Sequence, residues 1–284
     1  MSRRTLRIDP TRTTMLRRKF MLEMRKRFDK IGKAITELIV DNDALGIAPV
    51  KVVILNASPQ IWKYQTNPQK LTSFKLWLQN MINTNILAVS SPKIPGQPWT
   101  SDYVWASHRQ GLLRAYTDAN KPSLIIAPEF AAGSQSQFLM TAFSRPQTMQ
   151  SLQMLYTGTF DSLKGITATM DVQMSRVLSL GLVQGDHPYA IARELKNTLG
   201  ITKARSQMIA RTEIIRAHAE GELDAFETLG IKETTPEVEW STAGDGHVCP
   251  ECADMEGKIF NIEQARGMLP IHPNCRCSWD IVID

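Results

Sequence analysis

The chain has 284 residues, enough for one large or two modest domains, each with a proper core. Its 43% hydrophobic and 21% charged content is ordinary for a globular protein, and no apolar run approaches the roughly 20 residues of a membrane helix, so a membrane partner is excluded from the reading. The net charge of +5 hides a dipolar chain: residues 1–34 carry 12 Lys/Arg against 3 Asp/Glu, whereas residues 211–284 carry 6 against 15. Such a chain suits packaged DNA or an acidic protein surface at its head and a basic surface at its tail. Arg3, Arg4 and Arg7 are followed by no apolar segment or cleavage site, so assembly in the cytoplasm is expected rather than secretion.

In chain order, Asp9-Pro10 predicts a helix start, with Asp as cap and Pro at the first helical position. Leu16, Phe20, Met24, Phe28, Ile31, Ile35 and Leu38 then recur every three or four residues and draw one apolar stripe, ending near Asp41-Asn42-Asp43. Arg17, Arg18, Lys19, Arg25, Lys26 and Arg27 cover the other faces, candidates for contact with nucleic acid or a protein partner. Val50 to Leu55 reads as a strand, with helix as the alternative. Asn67-Pro68 caps a second helix carrying Leu71, Phe74, Leu78, Met81 and Ile82. Prolines 92, 95 and 98 with Gly96 mark a loop, and helix resumes from Tyr103 to Tyr116. Residues 120–146 read as an extended connection, which places the domain boundary near 145.

From Met149 a helix is predicted to about Gly181, with Leu152, Leu155, Phe160, Leu163, Ile166, Met170 and Met174 inward. Asp186 caps a shorter helix that stops near Gly200, and a long one from Lys203 to Leu229 ends on Gly230 in the left-handed conformation. The period then changes to two: Val238 and Trp240, Lys258 to Phe260, and Cys277, Trp279, Ile281 and Ile283 are three short strands.

All four cysteines lie in this last part, as Cys249-x-x-Cys252 and His272-x-x-Cys275-x-Cys277. Two turns that each offer a pair of soft donors suit one tetrahedral ion, and thiolate with imidazole favours zinc. Five donors compete for four places, so one is left over. Two disulfides or free thiols remain alternative readings of the same residues. A catalytic zinc would need an open position, so a structural staple is expected. The fold class expected is α+β: a predominantly helical amino-terminal region, 1–145, followed by a carboxy-terminal long-helix and small-sheet domain, 146–284, with the zinc-binding cluster at 249–277.

The order Ala210-Arg211-Thr212-Glu213, Gly230, Val238-Glu239-Trp240, Asp245, Cys249-x-x-Cys252, Gly257 and His272-Pro273-Asn274-Cys275-Arg276-Cys277 resembles the Mu F-like minor head proteins of tailed phages, the phage head morphogenesis family. The resemblance covers about residues 160–284. A weaker one lies in Asp9-Pro10-Thr11-Arg12 and Phe74-x-x-Trp77-Leu78. It implies a minor virion component in the head interior or at the portal vertex. Its expected partners are the portal protein, the major capsid or scaffold protein, and packaged double-stranded DNA.

No catalytic residue is carried over, and no enzymatic activity is expected; a DNA-binding internal virion protein and, behind it, an enzyme ejected with the genome are the alternative readings. Arg211, Glu213 and Asp245 form a structural polar set in this reading, Arg211 and Glu213 bracing their helix against the sheet or the metal loop. Arg211, Ser241-Thr242 and Glu237-Val238-Glu239 are superficially similar to ADP-ribosyltransferase elements, but their order is wrong.

Overall fold

The protein, as a computed structural model, is described over residues 9–48, 66–120, 134–229 and 237–282. These residues are mostly helical, with a three-stranded antiparallel sheet near the carboxyl end. They divide into two compact units: one from Met1–Phe20, Ser91–Thr159 and Met208–Asp284, the other from Met21–Ser90 and Phe160–Gln207. The strand expected at 50–55, the left-handed Gly230 and the outermost strand residue Ile283 lie outside the described residues.

The first helix, α1 (Thr14–Thr36), starts later than its sequence signal predicts. Arg12 takes a φ of 54°, which breaks the helical path, and Asp9 serves the first turn from outside it. Its carboxylate accepts the Thr14 N–H at 2.9 Å and the Thr14 hydroxyl at 2.5 Å, and Arg17 closes on it at 3.0 Å. Phe20, Met24, Phe28, Ile31 and Ile35 are buried as the stripe predicts. Its last member differs. Residues Glu37–Asp41 widen into a π turn, which carries Ile39 rather than Leu38 inward.

In the second unit, α2 (Asn67–Ile82) contributes Phe74, Leu78 and Ile82, and a π turn at Asn83–Leu87 adds Ile86. Thr66, not Asn67, is the capping residue, its N–H donating to the Gln69 side chain at 3.3 Å. In the first unit, α3 (Ser101–Ala119) covers the predicted helix and extends it at both ends. Helix α4 (Gln135–Ser144) lies where an extended connection was expected. Ser134 and Gln137 cap each other across backbone N–H groups at 3.2 and 2.8 Å, and Phe138 and Ala142 are its buried face.

Helix α5 (Pro146–Gln184) buries Thr159 and Thr167 where the sequence pointed to the neighbouring Phe160 and Ile166. Each threonine hydroxyl donates to its own helix, to Leu155 O at 2.8 Å and Lys164 O at 2.9 Å, so it enters the core already satisfied. The same device explains the largest difference. Helix α6 (Pro188–Thr228) runs unbroken through Gly200, where two helices had been expected. Leu195, Leu199, Thr202, Ser206 and Ala210 continue one buried face, and Thr202 and Ser206 bond back to Thr198 O and Lys203 O. A glycine in a helix interior costs about 1 kcal/mol, less than a continuous buried face contributes.

The sheet follows its alternation. Strand β1 (Glu237–Ser241) is central, with β2 (Ile259–Asn261) and β3 (Ser278–Val282) antiparallel on either side. Trp240 pairs with Trp279 across β1 and β3, their rings edge to face at 5.3 Å. Two short helices, α7 (Pro250–Met255) and α8 (Ile262–Ala265), complete this segment. Helix α3 packs on the last third of α6 through a reciprocal glycine pair. A Cβ at Gly111 would stand 2.1 Å from His218 O, and one at Gly221 2.2 Å from His108 O.

Candidate metal centre

Cys249 is the cap of α7. Its Sγ accepts the Cys252 N–H at 3.3 Å, and Pro250 fills the first helical position. The second turn is built alike: the Cys275 N–H donates to His272 O at 3.2 Å, with Asn274 in the left-handed region at a φ of 66°. His272 Nδ1 lies 2.8 Å from Pro273 O, the bond that makes Nδ1 the protonated nitrogen and leaves Nε2 as a donor to a cation. That Nε2 stands 3.1 Å from both Cys249 Sγ and Cys252 Sγ, and Cys252 Sγ is 3.9 Å from Cys275 Sγ.

The five donors form two triads that share Cys252: Cys249, Cys252 and His272, and Cys252, Cys275 and Cys277. Tetrahedral zinc–thiolate bonds place sulfurs roughly 3.8 Å apart, so the cluster has the donors and the spacing for such an ion. All four cysteines are free thiols.

The electrostatics of the thiols are strongly uneven. The Cys277 thiol, with backbone N–H groups, pulls Cys275 down to about 6. Burial and the neighbouring Cys275 push Cys252 up to about 12, and Cys277, hydrogen-bonded to Cys275 and buried, also rises. Cys249 is lowered by the Cys252 N–H, and His272 is raised by the Pro273 carbonyl. Within the triad of Cys252, Cys275 and Cys277 the thiols thus compete for one negative charge, and a dication would stabilise the thiolates together.

Asp245 stands beside this cluster. It clasps Arg276, the residue between Cys275 and Cys277, with two bonds of 2.6 and 2.7 Å that hold its carboxyl down at about 2. Arg211 and Glu213 are elsewhere. Glu213 accepts Arg216 at 2.7 and 2.8 Å and Thr159 at 3.4 Å, along an open cleft of about 500 Å3, and burial raises its pKa. Arg211 Nε is buried without a hydrogen-bond partner. The expected bracing of helix against sheet by these two is therefore replaced by other residues.

Those residues were missed in the sequence. Arg266, after α8, reaches Glu220, Asp224 and Glu227 of α6 at 3.0, 2.9 and 2.6 Å, and the Gly267 N–H donates to Glu220 at 2.8 Å. Arg114 of α3 bridges Glu222 and Asp280 of β3, at 2.5 and 2.8 Å, while the Trp279 N–H donates to Glu222 at 3.2 Å. His108 Nε2 lies 2.8 Å from Asp224, both fully or nearly buried. The available signal was the run Glu220, Glu222, Asp224 and Glu227 inside an apolar stripe, because buried carboxylates demand partners.

Of the basic candidates on α1, Arg17 is held by Asp9, and Arg27 by Glu23 at 2.9 Å and Asn85 O at 2.9 Å. Arg25 is 3.6 Å from Asp29, and Arg18, Lys19 and Lys26 are exposed.

Residues 173–279 match the family model of phage Mu protein F like proteins. The match bears out the carboxy-terminal resemblance read from the sequence and includes both cysteine turns, the Arg266 clamp, β1, β2 and the start of β3. No curated protein and no solved structure matches the chain. Among the described residues, no helix is long and apolar enough to cross a membrane.

Proposed function

We propose that this Mu F-like chain is a structural, non-enzymatic minor component of a tailed-phage head, acting in capsid assembly or in packaging and delivery of DNA at the portal. The observation that carries the reading is the family match over 173–279, which coincides with a clamped Cys/His module. Its partners in this reading are the portal protein and the major capsid or scaffold protein, in the head interior or at the portal vertex. The cysteine and histidine donors then hold one structural zinc, which cross-links the two turns. The charged groups of the Glu213 cleft are paired with one another, Glu213 with Arg216 and Glu220 with Arg266, and so are engaged within the protein rather than presented to a substrate.

Quantitative mass spectrometry of purified procapsids and mature particles tests the reading. A constant low copy number in both is expected, with one zinc per chain by elemental analysis of the purified protein. Absence from both particles would overturn the head assignment, whatever the metal content.

A further inference from the structure

Within the second unit, α1 and α6 border an open groove of about 960 Å3. Its floor is low because Gly32, Leu199 and Gly200 lie there: a Cβ on Gly32 would meet Leu199 Cδ2 at 2.9 Å, and nothing stands within 4 Å of one on Gly200. One wall carries Arg25, Lys26, Lys30 and Lys33 from α1, the other Lys196 and Lys203 from α6. The acidic residues of the lining are Asp29, Glu37 and Asp41. Asp29 is already matched by Lys203 at 2.8 Å and Arg25 at 3.6 Å. Lys26, Lys30, Lys33 and Lys196 are exposed and have no ion pair among the described residues, so the groove keeps a net positive charge at working pH.

We propose that this groove docks the phosphate backbone of duplex DNA. The inference deepens the head-component reading by naming a contact, and rests on that reading only for where the DNA comes from. Lys26 and Lys33 are seven residues apart, about 10 Å along the helix, the axial rise of about three base pairs of duplex at about 3.4 Å each. The second wall supplies cations across from the first, as two-sided contact with a charged rod requires. No aromatic residue lines the groove, so it offers no stacking platform for unpaired bases, and no fork of side chains suited to reading base edges. Binding is therefore to backbone, independent of sequence and steeply sensitive to salt. The groove also moves the contact away from Arg17 and Arg27, which the fold engages internally, and toward Lys30, Lys33, Lys196 and Lys203.

Fluorescence anisotropy of the full chain with a labelled duplex of about 30 base pairs, titrated between 50 and 200 mM salt, is the test. The combined Lys26→Gln, Lys30→Gln, Lys33→Gln and Lys196→Gln variant should bind at least about 30-fold more weakly, its salt slope shallower by about 3 to 4. The same four changed to Arg should bind as the parent does. Arg18→Gln with Lys19→Gln, exposed on α1 outside the groove lining, should change affinity less than about threefold. A four-Gln variant that keeps its circular dichroism and binds the duplex like the parent would overturn the proposal. So would equal losses from both Gln sets, or poly-glutamate competing as well as duplex of equal charge, which would mark an acidic protein as the occupant. Failure here with the chain still present in heads leaves the head reading intact.

Discussion

The two ends of α6 show two ways of holding a helix. Its first half, in the second unit, buries Ile191, Leu195 and Leu199 on one face and leaves Lys196 and Gly200 open to solvent. Its last third is buried all round, from Ala217 to Phe226, and carries Glu222 and Asp224 into that interior. An amphipathic stripe needs only apolar neighbours of the right size. A helix buried on every side needs partners for each polar group and room for each backbone approach. The first arrangement tolerates change; the second depends on single residues, and the Cys/His cluster depends on them too.

On the proposed zinc reading, stripping the ion should show the contrast most strongly. Removal by chelator, or Cys252→Ser, should release up to about 10 kcal/mol of coupled binding free energy. Hydrogen exchange should then lose protection at β1, β2, β3 and α7, while α1, α2 and the first half of α6 stay protected. Uniform loss throughout would erase the distinction between the two regions.

Arg266→Ala comes next. It strands Asp224, 1% exposed, with His108 as its remaining side-chain partner, and it frees Glu220 and Glu227. A loss of about 3 kcal/mol in denaturant unfolding is expected. Asp224 has its pKa held below the usual carboxylate value by the His108 bond and Arg266, against the opposing pull of burial. Its folded value is the lower one, so its contribution is complete above the unfolded value near 3.8 and is lost as pH falls through the folded one. Acid should therefore narrow the gap between parent and R266A.

A pair of glycine substitutions separates the two halves of α6 within one helix. Gly221→Ala forces a Cβ onto His108 O and should cost about 3 kcal/mol, whereas Gly200→Ala meets nothing and should stabilise by up to about 1 kcal/mol. Thermal midpoints moving in the same direction would break the comparison.

The smallest expected effect is at Glu213. Burial outweighs Arg216 and raises its pKa, so the folded state binds its proton more tightly and this group erodes stability as pH rises through the shifted value. Glu213→Gln should thus be neutral to stabilising, by about 0.5 kcal/mol at pH 7, with no gain at pH 3. A clear loss at pH 7 would make the Arg216 pair a support rather than a burden.

Much of the fold was legible because burial on a helix or strand repeats with a local period. The α1 stripe and the alternation of Val238 and Trp240 follow from that alone. Where hydroxyls replaced apolar residues, at Thr159, Thr167, Thr202 and Ser206, a stripe counted only in apolar letters lost its place, and Gly200 was read as a stop. The α4 cap was visible as Ser134 and Gln137 but was outweighed by the prolines around it.

The sequence by itself determined that two soft-donor turns lie near the carboxyl end, in an order that matches a phage family, because ligand identity and turn spacing are local properties. Only the tertiary structure decided which carboxylate meets which arginine. Arg266 finds Asp224 across 42 positions and Arg114 finds Asp280 across 166, and no local pattern encodes a partner at that distance. It likewise decided which lysines share a groove, since Lys30 and Lys196 become neighbours of one cleft only when two helices pack, and packing is set by shape complementarity rather than by either helix alone.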